Sequence, residues 1–382
     1  MRITDIEPVI IHVNHRGDWV FLQVHTDEGV VGLGEASHSL DDRLLIAAVN
    51  AMKPRIIDRS PYEIQSIWQQ FVGMHGGRVT ATALSAIEQA LWDIMGQVLG
   101  MPIHQLFGGA VRRKIRLYAN INRHVVDRSP AGFAAAALQA VSDGFTAVKL
   151  APFDELRVSD HIRTGPHAAW RLGVERVEAV RAVIGTEVDL MVDCHGRMET
   201  SEAVIVADAL ASCNLMWYEE PVSHQFPDQL SYITRNIQIP TASVESIFSM
   251  ENMRSFLLDR VVDVLMPDVK HCGGLREMIY IANAARLNRL LVAPHNPSGP
   301  VATVASAHVA SVISNFLILE YAWGEVPWRH QLLVPAEPIE NGYLDVSTAP
   351  GLGYRLNPAI ISDYGLSEPR SIDSTRVKFK DE

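Results

Sequence analysis

Beyond residue 115, eight short apolar runs each stop on a polar or charged side chain, and those side chains are the ones that could do chemistry. They are Asn120 of LYANIN, Lys149 of TAVKLAP, Asp193 of DLMVDCHG, Glu219 of LMWYEEP, Ser243 of IPTASVE with Glu245 just beyond, Asp268 of DVLMPD, His295 of LLVAPH and Glu320 of FLILEY. Asp193, Glu219 and Glu245 end or follow consecutive runs at equal separations, so they stand side by side if the runs are neighbouring strands. Three carboxylates that close repel one another unless a divalent cation neutralises them, and all-oxygen ligation selects Mg2+ or Mn2+ over zinc. One acidic strand end is ordinarily a helix cap or a solvated group. Three at this spacing in apolar frames point to a metal.

Proton-transfer groups accompany the acids. His195 lies two residues beyond Asp193, on the same side if the segment is extended. Beside a bound cation its neutral form is favoured, and it could donate or shuttle a proton near neutral pH; the alternatives are that it ligates the metal or packs under a loop. His295 precedes Asn296-Pro297-Ser298-Gly299-Pro300, a rigid turn suited to starting a helix. Asp268 on the neighbouring run can accept from one ring nitrogen of His295, fixing the tautomer and raising the basicity of the other, which makes a general base with its orienter. The plain alternative is a satisfied core histidine. Lys149 could serve as a Schiff-base nucleophile, a base, a clamp for a substrate carboxylate, or half of an ion pair. Glu320 could hydrogen-bond a substrate oxygen or bind the rim internally.

These groups need elements that bring them to one place. Between the runs lie amphipathic segments: PAGFAAAALQAVSDG, WRLGVERVEAVRAVIG, SEAVIVADALASC, FPDQLSYITRN, SMENMRSFLLD, GLREMIYIANAAR and ATVASAHVASVIS. Strand and helix alternating this way form βα units around a parallel sheet, and seven helices between eight strands suit a closed barrel, whose strand C-termini share one face. Before residue 115 the pattern differs. ITDIEPVIIHV and WVFLQVHTDEGVVGLGEAS read as strands, the latter turning at Asp27-Glu28-Gly29; RLLIAAVNAMKPRI and TATALSAIEQALWDIMGQVLG read as helices, the second stopping at Gly100 before Pro102. This is an α+β domain. From about residue 330 the Gly- and Pro-rich EPIENGYLDVSTAPGLGYRLN reads as an extended tail packed on another domain.

Composition narrows the partners. At 382 residues the chain is long enough for about two domains, and 48% of it is apolar. A net charge of −11 with no basic block disfavours nucleic acid and anionic membrane as partners. No run of about 18 uncharged apolar residues occurs, and MRITDIEPVI lacks a signal-peptide core, so a cytoplasmic location is expected. Cys194, Cys213 and Cys272 are an odd number without CxxC spacing, which suggests neither a disulfide framework nor a zinc knuckle. Gly32 to Glu35, GLGE, is not a dinucleotide fingerprint, because the third glycine and the strand-to-helix context are missing.

The segments VDCHGR, YEEP, SVES, MPDVKHCGG, APHNPSGP and LEY, in this order, resemble the enolase superfamily, mandelate racemase subgroup. TDEGVVGLGEAS and SAIEQALWDIMGQVLGMPIHQLFGG are similar to that family's capping domain. The resemblance implies a modified (β/α)8 TIM barrel over residues 114–330, an α+β capping domain over 1–113, and a C-terminal segment, 331–382, completing the cap. It further implies Mg2+ held by Asp193, Glu219 and Glu245, removal of a proton α to a carboxylate with the ion stabilising the enediolate, and assembly into dimers or octamers. Racemases of the subgroup carry Lys-x-Lys where this chain reads Lys149-Leu150-Ala151, so the second base is missing. Asp193-x-His195 resembles instead the galactonate and mannonate dehydratases, and HGR together with the separation from His295 to Glu320 looks more like the galactonate type. That type has Asn where this chain has Ala151.

The expected reaction is dehydration of a galactonate-, mannonate- or gluconate-like sugar acid. His295, oriented by Asp268, removes the C2 proton, and His195 protonates the departing 3-hydroxyl, giving a 2-keto-3-deoxy acid. Lys149 and Glu320 attend the substrate carboxylate. Substrate contacts are expected from Asn120, Arg197 and Trp323, and from His15 and Trp19 on the capping side. PFDELRVSDHIRTGPHAAW, with Arg157, His161, Arg163 and His167, suits a lid. Epimerisation or lactone cycloisomerisation could use the same enediolate. A binding or regulatory paralogue with vestigial catalysis is the reading outside enzymes.

Overall fold

The computed structural model describes residues 1–14, 17–73, 77–157 and 168–369. His15 and the loop residues His161, Arg163 and His167 lie outside them.

The first region is an antiparallel sheet backed by helices. β1 (Ile3–Asn14), β2 (Gly17–Thr26) and β3 (Val31–Glu35) pair in order, and Gly29 (φ 77) supplies the positive φ that the turn from β2 to β3 requires. α1 (Asp42–Met52) starts at Asp41, whose carboxylate accepts from the backbone N–H groups of Arg43 and Leu44, and gives way to a 3-10 turn at Lys53-Pro54-Arg55. α2 (Ile64–Phe71) buries Ile64, Ile67, Trp68 and Phe71, a three-and-four spacing. α3 (Gly77–Leu99) lies against β3 so closely that a Cβ on Gly34 would come 2.0 Å from the Ala86 carbonyl oxygen. The short α4 (Ile103–Leu106) leads out of the domain.

Eight strands then form the barrel: β4 (Lys114–Asn120), β5 (Ala147–Leu150), β6 (Asp189–Asp193), β7 (Leu215–Glu219), β8 (Thr241–Ser243), β9 (Val264–Leu265), β10 (Leu291–Val292) and β11 (Leu319–Tyr321). Every neighbouring pair from β4 to β10 is parallel, β11 pairs with β4, and a parallel bridge from Val292 to Phe316 closes the ring. α5 (Pro130–Ser142), α6 (Arg171–Ile184), α7 (Thr200–Ala209), α8 (Pro227–Asn236), α9 (Arg254–Asp259), α10 (Leu275–Ala285) and α11 (Pro300–Val312) connect successive strands. Alternation along the strands splits the barrel's apolar residues in two. Tyr118, Ala147, Met191, Trp217, Ala242, Val264, Ala293 and Ile318 make an inner cluster, while Leu117, Val148, Leu190, Val192 and Tyr218 join the layer under the helices.

The tail stitches both regions together. β12 (Leu333–Val334) pairs with β15 (Arg355–Leu356); β13 (Ile339–Glu340) and β14 (Tyr343–Asp345) form a hairpin that adds antiparallel to β4. After α12 (Pro358–Tyr364), β16 (Gly365–Leu366) pairs with β1. The described part of the tail therefore serves the barrel as well as the cap.

Buried carboxylates dock the cap on the barrel. Glu35 at the end of β3 accepts from the Gly299 and Ala302 N–H groups, both at 2.7 Å, capping α11. Glu88 of α3 accepts from Leu275 (2.8 Å) and Arg276 (3.1 Å), capping α10. These two helices follow the strands that lead to His295 and Asp268, so cap contacts bear directly on the rim. Among the described residues, no helix is long and apolar enough to cross a membrane.

Candidate active site

The strand ends converge as their order demands. Asp193 and Glu219 are paired residues at the ends of β6 and β7, and Glu245 lies two residues past β8. One oxygen from each falls within 4.8 Å of the other two, so a single cation can reach all three. The set is hard, all-oxygen and largely buried, which fits Mg2+ and makes the triad capable of coordinating such a divalent metal. Burial and the neighbouring Asp193 carboxylate push the Glu219 carboxyl well above the usual range, the repulsion that a cation relieves.

Lys149 lies beneath the triad with its ammonium fully buried. It donates to both Glu219 oxygens at 3.0 Å and lies 3.1 Å from Glu320 and 3.4 Å from Asp193. Burial opposes its charge, but Glu219 and Glu320 reverse that and hold the amine protonated well above its ordinary pKa. Glu320 also accepts from Asn120 Nδ2 at 2.6 Å and from the Asn296 N–H at 2.8 Å. Burial would raise its carboxyl, yet Lys149 and His295 keep it below the usual value.

Two imidazoles stand at opposite ends of the triad. His295 Nδ1 lies 2.7 Å from Asp268 Oδ2 and its Nε2 is 3.1 Å from Glu245. At the other end His195 Nε2 is 3.2 Å from Asp193, and its Nδ1 is 2.5 Å from Asp154. His195 does not sit in an extended segment: its φ of 51° is left-handed. Chain reversal there, rather than the two-residue alternation of a strand, returns the ring to Asp193, and a non-glycine residue in that region is strained. Burial works against charge on the ring, but Asp193 and Asp154 prevail and raise its pKa well above the ordinary value. A dication among the carboxylates would offset that field.

Lys270 was not among the residues singled out by strand endings. Fully buried, it places its Nζ 2.5 Å from Asp268 Oδ2, the oxygen that also faces His295. Although burial raises the Asp268 carboxyl, Lys270 and His271 hold it well below the usual range. Asp154 falls in PFDELRVSDHIRTGPHAAW, where no apolar frame marks it. Arg78 of α3, from the cap, reaches His271 Nε2 at 2.9 Å and the Ser246 hydroxyl at 3.1 Å, beside Glu245. The signal for Lys270 was present in MPDVKHCGG, two residues past a strand-end acid; Asp154 and Arg78 had no comparable marker.

Other candidates are placed differently. Arg197 is exposed on the turn after His195. Trp323 is buried, donates to Asp143 Oδ2 at 2.9 Å and meets the His124 ring edge-on. Trp19 is fully buried, 5.6 Å from Trp328 in an edge contact, with the Arg329 guanidinium over its ring. Trp328 in turn stacks on Tyr364. Each of these tryptophans packs against another ring.

Comparison with known proteins agrees with this architecture. Residues 4–108 match the mandelate racemase / muconate lactonizing enzyme N-terminal domain, and residues 132–360 match the enolase C-terminal domain-like family. The chain belongs to the enolase superfamily, in the mandelate racemase/muconate lactonizing subgroup. It is similar to a D-xylonate dehydratase of Haloferax volcanii, 32% identical over 93% of this chain and 87% of that protein. A D-galactonate dehydratase of Verminephrobacter eiseniae is 33% identical over 90% of each. Among solved structures, a mandelate racemase/muconate lactonizing enzyme-like protein from Rubrobacter xylanophilus superposes with a TM-score of 0.89 at 31% identity, over 97% of this chain and 99% of that one.

Proposed function

We propose that the chain is a Mg2+-dependent acid-sugar dehydratase, a hydro-lyase that converts a five- or six-carbon sugar acid into its 2-keto-3-deoxy product. The observation that carries this reading is the pair of imidazoles at the two ends of one carboxylate triad, each 3.1–3.2 Å from an outer member. Sugar-acid dehydratases among its relatives support the same reaction class.

The residues divide the work. Asp193, Glu219 and Glu245 would hold the ion, which when bound would supply positive charge against the negative charge that builds as the proton leaves. His295 takes the C2 proton on Nε2; its Nδ1–H is fixed by Asp268, so the basic nitrogen faces the pocket. The electron pair left at C2 spreads into the carboxylate and then forms the C2–C3 double bond as the C3–O bond breaks. His195 gives its proton to the leaving hydroxyl, which departs as water, and the resulting enol tautomerises to the ketone. Lys149 holds its charge under Glu219 and Glu320, where a protonated, fully enclosed amine cannot form a Schiff base. Glu320 and Asn120 form a linked pair at the pocket floor.

Epimerisation would need a second base beyond the Lys149 strand, and there Ala151 has no ionisable side chain, its backbone N–H donating to Asn122 Oδ1 at 2.6 Å. Arg197, exposed on the turn after His195, is the side chain we assign to the substrate's hydroxyls. The acidic balance disfavours nucleic acid as a partner, and the family resemblance supports a dimer or octamer. The test is incubation of C5 and C6 mono- and diacid sugars with Mg2+, with NMR of the products. A keto-deoxy product bears the reading out; solvent deuterium entering C2 without loss of water favours epimerisation, and binding without turnover across the whole set favours the binding paralogue.

A further inference from the structure

Asp268 is not the only carboxylate that grips an active-site imidazole by its far nitrogen. His195 makes the same pair of contacts in mirror order around the triad: Nε2 toward Asp193 at 3.2 Å, Nδ1 toward Asp154 at 2.5 Å. Their surroundings differ. The His295 side chain is 9% exposed and walled in, whereas that of His195 is 41% exposed. An imidazole with that much freedom can turn about its χ angles, and a ring rotated away presents carbon rather than Nε2 to the leaving group. Something must hold it, and packing does not.

Among the described residues, Asp154 is the carboxylate that meets Nδ1. Asp154 lies in the turn immediately after β5, with its Oδ2 3.5 Å from the Arg128 guanidinium. Arg128 is itself fixed: it donates to the Ala151 carbonyl at 2.8 Å, pairs with Glu155 and lies 5.1 Å over the Phe133 ring of α5. A relay therefore runs from the helix layer through Arg128 and Asp154 to His195.

We infer that Asp154 is a positioning residue for the departing-hydroxyl acid, orienting His195 through Nδ1 as Asp268 orients His295, so that the site contains two carboxylate–histidine pairs acting on adjacent carbons. The inference rests on the dehydratase reading and adds a prediction that reading does not make. Abstraction at C2 belongs to His295 and is remote from Asp154, so loss of Asp154 uncouples the two halves of the reaction.

The experiment compares full-length wild type with Asp154→Asn, Asp154→Ala and Asp154→Glu, loaded with Mg2+. For Asn and Ala, dehydration falls about 10–100-fold, the range typical of losing a carboxylate that orients a functional histidine. Deuterium exchange at C2 stays within about threefold of wild type, so the ratio of exchange to elimination rises at least about tenfold; Asp154→Glu recovers part of the elimination. A merely structural role would lower exchange and elimination together, and that result overturns the inference, as does unchanged elimination. Mn2+ affinity, read by electron paramagnetic resonance, stays within about twofold; a tenfold loss would place Asp154 in support of the metal site instead and would also overturn it. A crystal structure of Asp154→Ala supplies a readout independent of turnover: the His195 ring rotates or disorders if the inference holds, and retention of the wild-type orientation overturns it. If wild type dehydrates no acid sugar the proposed function fails, while the ring orientation still decides what Asp154 does.

Discussion

Asp193, Glu219 and Glu320 at the barrel rim, and Glu35, Glu88 and Asp93 at the seam between cap and barrel, are all buried carboxylates, yet their charges are met differently. At the rim the partners are Lys149, an imidazole and a site for a dication. At the seam they are backbone N–H groups: α11 starts on Glu35, α10 starts on Glu88, and Leu33 and Leu352 donate to Asp93. The seam dipoles do not fully offset desolvation, and burial pushes Glu88 and Asp93 up to about 7. At the rim, His195 and Lys149 hold Asp193, Lys270 and His271 hold Asp268, and Lys149 and His295 hold Glu320 below the usual range despite burial, while burial and the adjacent Asp193 push Glu219 up. One set is built to receive a cation, the other to hold two layers together, and residue type alone does not distinguish them.

The largest effect that sharpens this contrast is at Glu219. Glu219→Gln, or chelation of the ion from wild type, should cost at least about 10³-fold in dehydration, and restored Mg2+ should rescue only the wild type, as product formation will show. A variant that keeps full rate would merge the two sets of acids into one structural class. Next come the imidazoles. His295→Asn should lose both C2 exchange and elimination by about 10²–10⁴-fold, whereas His195→Asn should lose elimination and keep exchange, measured by NMR in deuterated water.

Seam variants should move stability instead. Glu88→Ala leaves two N–H groups at the start of α10 without their acceptor, at about 1–3 kcal/mol each, so denaturant unfolding should register several kcal/mol while kcat changes only a few-fold. The pH dependence follows from the direction of the shift. A carboxyl whose folded pKa is raised from 4.5 to about 7 contributes stability below 4.5 that is lost as pH rises through 7, up to about 3 kcal/mol for Glu88. Glu88→Gln should therefore flatten the fall in stability between pH 4.5 and 7 relative to wild type; an unchanged slope would show that its backbone donors keep Glu88 ionised throughout. The smallest effect concerns the exposed Arg197: Arg197→Ala should raise KM about 3–10-fold with kcat unchanged if it meets substrate, and alter neither if it is only solvated.

Much of this was legible because a barrel strand is a short apolar run and its last residue is where the chain turns polar. Asp193, Glu219, Glu245, Asp268, His295 and Glu320 all carried that mark, and all gather at one rim. Asp154 and Arg78 did not, since one follows a strand end in a turn and the other comes from the cap, and neither path is set by hydrophobic period. α2 is weakly marked although Ile64, Ile67, Trp68 and Phe71 have helical spacing, because eight residues amid polar neighbours give little periodic signal. Trp19 is a candidate because it closes HVNHRGDW, the polar segment from His12. β2 is covered on both faces, so alternation could not say which way that ring turned.

The enclosed ammonium of Lys149 bears on substrate binding. With His195 beside Asp193 it is one of two cationic side chains facing four carboxyl groups, Asp193, Glu219, Glu245 and Glu320, so acidic groups outnumber cations in the cleft. An incoming anion would meet repulsion there until two further positive charges are in place. A sugar acid offered to the ion-free protein should therefore bind more weakly than one offered with Mg2+, as calorimetry in the presence and absence of the ion will show.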